Sequence, residues 1–188
     1  GGRVSGVTLD LGDPIHADVV ILAAGAAAIP GAPACLKSVP VKGQMVAFAA
    51  ARPLAPSRIV RSFSIYLAAK PGMRLVAGAT SEPGLDDEAT DDEAAARLTS
   101  AARAVLPGLA AVPVMDRWAG LRPRSADGMP VIGEVEPGLL AAAGGYRNGV
   151  LLAPAMAEAL AARLGAGEDW PSAAPFAPDR PSLTAPQR

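Results

Sequence analysis

The chain has 188 residues, of which 51% are hydrophobic, and it carries a formal net charge of −1. This composition supports an ordinary hydrophobic core and excludes the strongly basic surface that nucleic-acid binding requires. The single cysteine excludes an internal disulfide and argues against a cysteine-based metal site. Because the sequence shows neither a signal peptide nor a run of about 18 apolar residues, it predicts a soluble, cytoplasmic protein without a membrane span.

Two strands are predicted near the amino terminus. Residues 4–11 alternate between apolar and polar types, which is typical of a half-exposed strand. Residues 17–25 form a continuous apolar run ending in Gly25, and such a run suits a strand buried on both faces of a mostly parallel sheet. His16 has no evident partner and Cys35 lies in a proline-rich loop, so we interpret both as structural residues.

The middle of the chain is predicted to be rich in strands. Residues 41–50 and 58–69 have strand-like patterns, and residues 73–80 return as a hairpin after a Pro-Gly turn. In the second of these strands Tyr66 lies near Ser64, on the face opposite to the apolar residues. Those apolar residues are Phe63, Ile65 and Leu67.

A helix is predicted after an acidic segment. Thr90 and Glu93 are spaced as a capping box, with Thr90 as the N-cap residue. The carboxylates of residues 82–93 could suggest a metal site, but helix-dipole and solvent roles account for them, and we predict no metal site. The buried stripe of the helix is expected to comprise Leu98, Ala101, Ala102 and Val105.

The last third of the chain places arginine, asparagine and glycine inside apolar runs. Residues 112–118 are predicted to be a strand that leads into a loop containing Arg122, and residues 139–143 a short strand followed by a glycine-rich turn. A helix over residues 150–164 is expected to begin close to Pro154 and to stop at Gly165. The N-terminus of such a helix presents unpaired N–H groups and about half a positive charge, which favours an anion or a polarised carbonyl.

Three motifs resemble the carboxy-terminal signature of the flavin-dependent D-amino-acid oxidase superfamily. Residues 118–123 read W-A-G-L-R-P, residues 127–133 read D-G-M-P-V-I-G, and residues 147–154 read R-N-G-V-L-L-A-P. Within the superfamily the chain is most similar to the glycine oxidases of thiamine biosynthesis, over about residues 4–165. One position departs from the pattern, because members similar to glycine oxidase often have histidine where this chain has Ser64.

The resemblance implies an α/β fold, α+β overall: part of a Rossmann-like FAD domain plus an antiparallel-sheet substrate domain with a capped helix. Residues 1–38 and 120–165 would belong to the FAD-binding domain, residues 39–119 to the substrate domain, and residues 166–188 to a Pro-rich tail. The G-x-G-x-x-G turn that holds the FAD pyrophosphate is not found, so the chain reads as the carboxy-terminal half or more of such a protein.

The resemblance also implies FAD as cofactor and no side chain as catalytic acid or base, because the flavin accepts hydride. Arg122 and Tyr66 are expected to contact the substrate carboxylate, and Arg147 is a further substrate contact. Two alternatives stay open: Tyr66 as an ordinary sheet tyrosine and Arg147 as a residue that holds the turn together. The residues expected at the cofactor are Gly25, Gly145, Arg147, Asn148, Gly149, Val150 and Leu151.

The function implied is the oxidative deamination of a small amino acid such as glycine, with oxygen as acceptor and peroxide as product, in thiamine biosynthesis. The protein could act as a homo-oligomer. One alternative is a related oxidase or dehydrogenase of sarcosine, D-amino acids or proline. Another is a non-catalytic partial chain whose partner carries the nucleotide-binding fold.

Overall fold

The computed structural model describes residues 2–49, 56–167 and 170–184. The chain divides into two compact units. Unit 1 comprises Gly1–Pro40 and Arg122–Arg188, and unit 2 comprises Val41–Leu121. Each unit has a hydrophobic core of its own.

The amino-terminal part of unit 1 contains three short strands. β1 (Gly6–Val7) and β2 (Ile15–His16) pair with each other in an antiparallel hairpin, and β3 (Val20–Leu22) follows. β1 and β3 are shorter than the alternating and apolar patterns predict, and β2 lies outside both predicted strands.

Unit 2 is built on a six-stranded sheet. β4 (Val39–Ala49) has antiparallel neighbours on both sides, β7 (Arg74–Gly78) and β8 (Glu82–Pro83). Beyond β7 the sheet continues with β6 (Tyr66–Lys70) and β5 (Val60–Arg61), and β9 (Val114–Arg124) also pairs with β4. The predicted hairpin at the Pro-Gly turn is confirmed as β6 and β7.

The prediction of one strand over residues 58–69 is wrong, because the chain turns between β5 and β6. The Ser62 hydroxyl oxygen accepts hydrogen bonds from the backbone N–H groups of Ser64 and Ile65. The Ser62 N–H donates to the Ile65 carbonyl at 2.8 Å. A short serine side chain thus closes a turn in the middle of an apparently continuous strand pattern.

The core of unit 2 lies between the sheet and helix α1 (Asp92–Val105). The helix contributes Leu98 and Ala102, two members of the predicted stripe, while Ala101 and Val105 are partly buried against the same core. The other buried members are Val46, Phe48, Ile65, Leu67, Leu75, Ala77 and Leu109.

The N-cap residue of α1 is Asp91, so the prediction of Thr90 is wrong by one residue. The Asp91 carboxylate accepts a hydrogen bond from the Ala94 N–H at 2.7 Å. The buried Gln44 side chain donates to the same carboxylate at 2.5 Å and accepts from the Asp91 N–H at 2.9 Å. The hydrogen bond from Gln44 also lowers the pKa of Asp91. A contact between residues 47 positions apart therefore selects the cap, and local spacing cannot reveal it.

The sheet of unit 1 has the order β10 (Val131–Glu136), β11 (Leu139–Ala143), β3. β11 lies at its predicted position and pairs antiparallel with β10 and parallel with β3. The prediction that the β3 run is buried on both faces is wrong for the described residues, since Ile21 is 46% exposed. The reason is that β3 has only β11 as a strand neighbour in the part of the chain that the structure describes.

Helix α2 (Gly149–Ala166) packs on β10 and β11. It begins five residues before Pro154, so the prediction of a start close to that residue is wrong. Proline in the second turn removes the backbone hydrogen bond to the carbonyl of Val150, a residue that is 94% exposed. The helix also continues through Gly165 and ends at Ala166, with Gly167 as the C-cap residue, whose N–H donates to the Arg163 carbonyl.

The segment after Gly167, where the sequence predicts a Pro-rich tail, contains a 3₁₀ helix (Pro171–Phe176) and one turn of helix, α3 (Pro181–Thr184). Trp170, Ala173 and Phe176 pack against the core of unit 1, whose buried members are Ile132, Leu140, Met156, Ala159 and Leu160.

A buried ion pair ties this carboxy-terminal segment to the D-G-M-P turn. The Arg180 guanidinium donates to both carboxylate oxygens of Asp127, at 2.7 and 2.8 Å, and to the Met129 carbonyl at 3.0 Å. The Ser182 hydroxyl also donates to Asp127, at 2.6 Å. The side chains of Arg180 and Asp127 are only 9% and 12% exposed. The guanidinium holds the pKa of the Asp127 carboxyl well below its usual range.

Candidate functional site

The glycine-rich turn after β11 requires residues without side chains. Gly144 has φ +68°, and a Cβ atom there would lie 2.9 Å from Ser125 Cβ. A Cβ atom on Gly145 would lie 2.7 Å from Gly149 Cα. The turn therefore passes so close to its neighbours that only glycine fits at both positions.

The turn leads directly into the N-terminus of α2. The Asn148 N–H donates to the Gly145 carbonyl at 2.9 Å, and the Asn148 side chain makes no capping hydrogen bond. The first turn of the helix contains no acidic residue. Arg147 and Asn148 are exposed. This N-terminus keeps its partial positive charge without a carboxylate to neutralise it.

A cavity of about 510 Å³ in unit 1 brings three of the predicted cofactor residues together. Gly25, Gly145 and Gly149 line it. Along α2 the wall is formed mainly by small side chains, among them Ala153, Ala157 and Ala161. The other predicted cofactor residues, Arg147, Asn148, Val150 and Leu151, do not line this cavity but occupy the adjoining turn and helix start.

These features fit an aromatic cofactor with a polar edge, as the sequence motifs imply for FAD. Val150 and Leu151 are 94% and 78% exposed, and so offer apolar surface next to the helix N-terminus. At Gly145 and Gly149 the chain presents backbone rather than side chains to the cavity. Apolar surface beside unpaired N–H groups suits the ring and the electron-rich edge of a flavin.

Arg122 lies near the end of β9, so the prediction that it sits in a loop is wrong. The strand continues through Arg124, which bridges Gly145, and the Pro123 carbonyl accepts a hydrogen bond from the Tyr146 N–H at 2.9 Å. These contacts hold the backbone that carries Arg122 against the glycine-rich turn within unit 1. The Arg122 side chain is half-buried.

Tyr66 belongs to unit 2, where it begins β6 and is half-buried. Its hydroxyl lies 3.7 Å from the sulfur of Met45. The hydroxyl thus faces a protein atom, and the substrate role of Tyr66 stays a prediction. Ser64, the position that departs from the motif pattern, is exposed in the preceding turn.

The other polar residues considered in the sequence analysis are Cys35, His16 and the carboxylates of residues 82–93. Burial raises the pKa of the Cys35 thiol, which disfavours a reactive thiolate. His16 is exposed in β2. Of the acidic segment, Asp87 pairs with Lys42, and Glu82 accepts from Gln44. Among residues 2–49, 56–167 and 170–184, no three His, Cys, Asp or Glu side chains are grouped as a metal site.

Gly145→Ala is expected to weaken FAD binding, because the new methyl group would overlap backbone atoms of Gly149. Overpacking of about 1–3 kcal/mol corresponds to a Kd that is higher by about 5- to 140-fold. The measurement is a titration of the apoprotein with FAD, followed by flavin fluorescence. Gly165→Ala is the matched control, since a Cβ atom there meets nothing within 4 Å. Equal Kd values for the two variants would contradict this assignment of the turn.

The chain is similar to proteins of known family. A family model described as "DAO: FAD dependent oxidoreductase" matches residues 1–163. Glycine oxidase of Pseudomonas aeruginosa is 38% identical over 183 residues, which are 95% of this chain and 50% of that protein. The crystal structure of glycine oxidase from Geobacillus kaustophilus matches with a TM-score of 0.78 at 36% identity, covering 89% of this chain and 46% of that chain.

A relative with a different name matches at nearly the same level. The hydrogen cyanide synthase subunit HcnC of Pseudomonas aeruginosa is 37% identical over 159 residues, which are 80% of this chain and 37% of that protein. The chain spans about half the length, or less, of the curated relatives it matches. In the part of the chain that the structure describes, no helix is long and apolar enough to cross a membrane.

Proposed function

We propose that the protein oxidatively deaminates a small amino acid such as glycine, because the chain belongs to the DAO family of FAD dependent oxidoreductases. The observation that carries the proposal is the cavity in unit 1, which unites Gly25, Gly145 and Gly149 beside an uncapped helix N-terminus. Identity of 38% to a glycine oxidase supports the choice of substrate class.

Arg122 is the proposed anchor for the substrate carboxylate. A planar guanidinium donates two parallel hydrogen bonds to a carboxylate, which the ammonium group of lysine cannot do. The backbone on either side of Arg122 is fixed by its strand and by the hydrogen bond to Pro123. The Arg122 side chain itself is half-buried. Arg147, which is exposed, adds positive charge at the turn.

The residues proposed to hold FAD are Gly25, Gly145, Arg147, Asn148, Gly149, Val150 and Leu151. When bound, the flavin supplies the two-electron oxidation that no amino-acid side chain can perform. The N–H groups at the start of α2 stabilise negative charge in front of them, and the exposed Val150 and Leu151 exclude water from an apolar ring. No acid or base side chain is required if the substrate amine binds uncharged.

The finer expectations belong to the same proposal. Molecular oxygen is the proposed electron acceptor, peroxide the product, and thiamine biosynthesis the context. A cytoplasmic location and a homo-oligomeric state stay predictions. An assay that screens glycine, sarcosine, D-amino acids and L-proline for peroxide tests substrate and acceptor together. If none of these substrates yields peroxide, the proposal of a self-sufficient oxidase for these substrates is refuted.

A second candidate is a subunit of a larger enzyme that requires a partner chain. Identity of 37% to a protein named as a synthase subunit favours this candidate. Co-purification with a second, stoichiometric polypeptide, together with activity that appears only in the complex, would decide for it over the self-sufficient oxidase.

Tyr66→Phe is expected to lower kcat/KM because it removes one hydrogen bond to the substrate carboxylate. The loss is about 0.5–3 kcal/mol, depending on whether the partner is neutral or charged, which corresponds to about 2- to 140-fold. Steady-state kinetics on the best amino acid provides the measurement, with flavin content as a control for folding. If kcat and KM both keep their wild-type values, Tyr66 has no part in substrate binding.

A further inference from the structure

Tyr66, Gly78 and Met45 form one row across three neighbouring strands of unit 2. Gly78 on β7 is the register partner of Tyr66 on β6 and also of Met45 on β4. Side chains of directly paired residues lie on the same face of a sheet. Tyr66 and Met45 therefore flank a residue that has no side chain.

The two flanking side chains meet over this glycine. The Tyr66 hydroxyl lies 3.7 Å from Met45 Sδ. A Cβ atom added to Gly78 would lie 2.7 Å from Met45 Cε and 3.2 Å from the Tyr66 hydroxyl oxygen. Both distances are shorter than the ordinary contact distance of about 3.5–4.0 Å. The position of the hydroxyl thus depends on the absence of a side chain at Gly78.

Partly buried polar contacts hold the register of this row. The N–H of Gln44, which precedes Met45, donates to the Thr80 hydroxyl at 2.7 Å, and the Thr80 N–H donates to the Gln44 carbonyl at 3.1 Å. The Gln44 side chain is held in turn by Glu82 and Asp91. Because β4 and the end of β7 are joined in this way, the backbone that carries Met45 and Gly78 has little freedom to shift.

A thioether is a poor partner for a hydroxyl group. Its sulfur is only a weak hydrogen-bond acceptor, whereas hydrogen bonds to a charged carboxylate are about twice as strong as neutral ones. A hydroxyl that donates to Met45 is therefore held in one direction, yet it exchanges this partner for a carboxylate with a net gain in free energy.

We propose that Met45 and Gly78 are positioning residues for the Tyr66 hydroxyl. Gly78 provides the space, and Met45 provides a weak, replaceable acceptor that keeps the hydroxyl oriented for a substrate carboxylate. The inference rests on the proposed function, in which Tyr66 contacts the substrate.

The test uses the FAD-loaded enzyme and acetate, a carboxylate without an amine, whose binding is followed through the visible absorption of the flavin. Met45→Leu keeps an apolar wall but removes the acceptor that orients the hydroxyl, and it is expected to raise the acetate Kd by about 2- to 5-fold. Met45→Gln introduces a strong acceptor that competes for the hydroxyl, and it should raise the Kd by about 3- to 10-fold. Gly78→Ala should raise it at least as much as Tyr66→Phe does.

The same substitutions in a Tyr66→Phe background decide between positioning and general damage to the sheet. There, Met45→Gln and Gly78→Ala are expected to have no further effect, because no hydroxyl remains to be misplaced. Met73→Gln is the matched control, since Met73 is an exposed methionine in the turn between β6 and β7. If Gly78→Ala does not fold, Met45→Leu and Met45→Gln carry the test, since both should weaken acetate binding when the Tyr66 hydroxyl is present and neither should do so when it is absent.

Two results would overturn the inference. Unchanged acetate affinity in Met45→Gln and Gly78→Ala, although Tyr66→Phe weakens it, would remove the positioning roles and leave the proposed function intact. Equal losses of acetate affinity in the presence and absence of the Tyr66 hydroxyl would also remove the positioning roles of Met45 and Gly78. If Tyr66→Phe itself binds acetate like wild type, the proposed role of Tyr66 falls, and the inference falls with it.

Discussion

Arg122→Ala is expected to cause the largest loss of activity of any single substitution at the proposed site. Removing one partner of a buried charge pair costs about 2–5 kcal/mol, which corresponds to about 30- to 4,000-fold in kcat/KM. The loss arises because the substrate carboxylate would enter a half-buried position without its guanidinium partner. Flavin content should stay close to wild type, because none of the proposed cofactor contacts is altered.

Arg117→Ala is the matched control for this prediction. Arg117 lies on the same strand, β9, but its exposed side chain pairs with the exposed Asp92. A surface ion pair of this kind contributes about 0–1 kcal/mol to stability, and its loss should leave kcat/KM nearly unchanged. Steady-state kinetics of both variants on the best amino acid provides the comparison. Similar values for Arg122→Ala and wild type would refute the role of Arg122 as carboxylate anchor.

Asp127→Asn is expected to cause the largest loss of stability. The substitution leaves the Arg180 guanidinium buried without its charged partner, and breaking a buried ion pair from one side costs about 3–5 kcal/mol. It also weakens the hydrogen bond from the Ser182 hydroxyl. The free energy of unfolding, measured by urea denaturation with tryptophan fluorescence, should fall by that amount.

Glu93→Gln provides the same carboxylate-to-amide change on the surface. Glu93 pairs with Arg97 one helical turn away, and both side chains are exposed. The expected loss is at most about 1 kcal/mol, from the helix dipole and a surface ion pair. Equal losses of unfolding free energy for Glu93→Gln and Asp127→Asn would show that the Asp127–Arg180 pair contributes no more to stability than a surface ion pair.

The contribution of Asp127 should also depend on pH. The carboxyl has a folded-state pKa below its unfolded value of about 3.9. Its stabilising effect is therefore complete well above pH 4 and is lost as the pH falls through the folded-state pKa. The difference in unfolding free energy between wild type and Asp127→Asn should shrink between neutral pH and about pH 3. A constant difference over this range would contradict the assignment.

Much of the fold could be predicted from the sequence because local patterns carry it. The apolar stripe of α1, the strand at β11 and the hairpin of β6 and β7 follow from periodicity and turn residues. The family resemblance, carried by the three motifs of residues 118–154, is confirmed by the match over residues 1–163, and the fold class is confirmed by the match to a glycine oxidase structure.

Two features that the sequence does not reveal depend on contacts between distant parts of the chain. Gln44 selects Asp91 rather than Thr90 as the helix cap across 47 positions. Asp127 and Arg180 are each an ordinary charge in the sequence, 53 positions apart, and only their contact in the fold reveals the ion pair. Local spacing identifies a residue type that can form such a contact but not the partner that it chooses.

The cofactor and substrate assignments depend on the resemblance more than on local patterns. Gly25 lies more than 100 positions before Gly145 and Gly149, so glycine spacing alone would not group the three residues. The structure nevertheless places all three on one cavity. By contrast, the row of Tyr66, Gly78 and Met45 depends on strand register, which the sequence pattern does not reveal.

Reduction of the flavin by an amino acid in the absence of oxygen tests the central proposal most directly. The FAD-loaded enzyme is mixed anaerobically with glycine, sarcosine, D-amino acids or L-proline, and the visible flavin absorption is followed with time. We expect at least one of them to bleach this absorption completely, with acetate causing only a spectral shift. If the enzyme holds stoichiometric FAD and its flavin keeps the absorption of the oxidised form with every amino acid, the proposed function is contradicted.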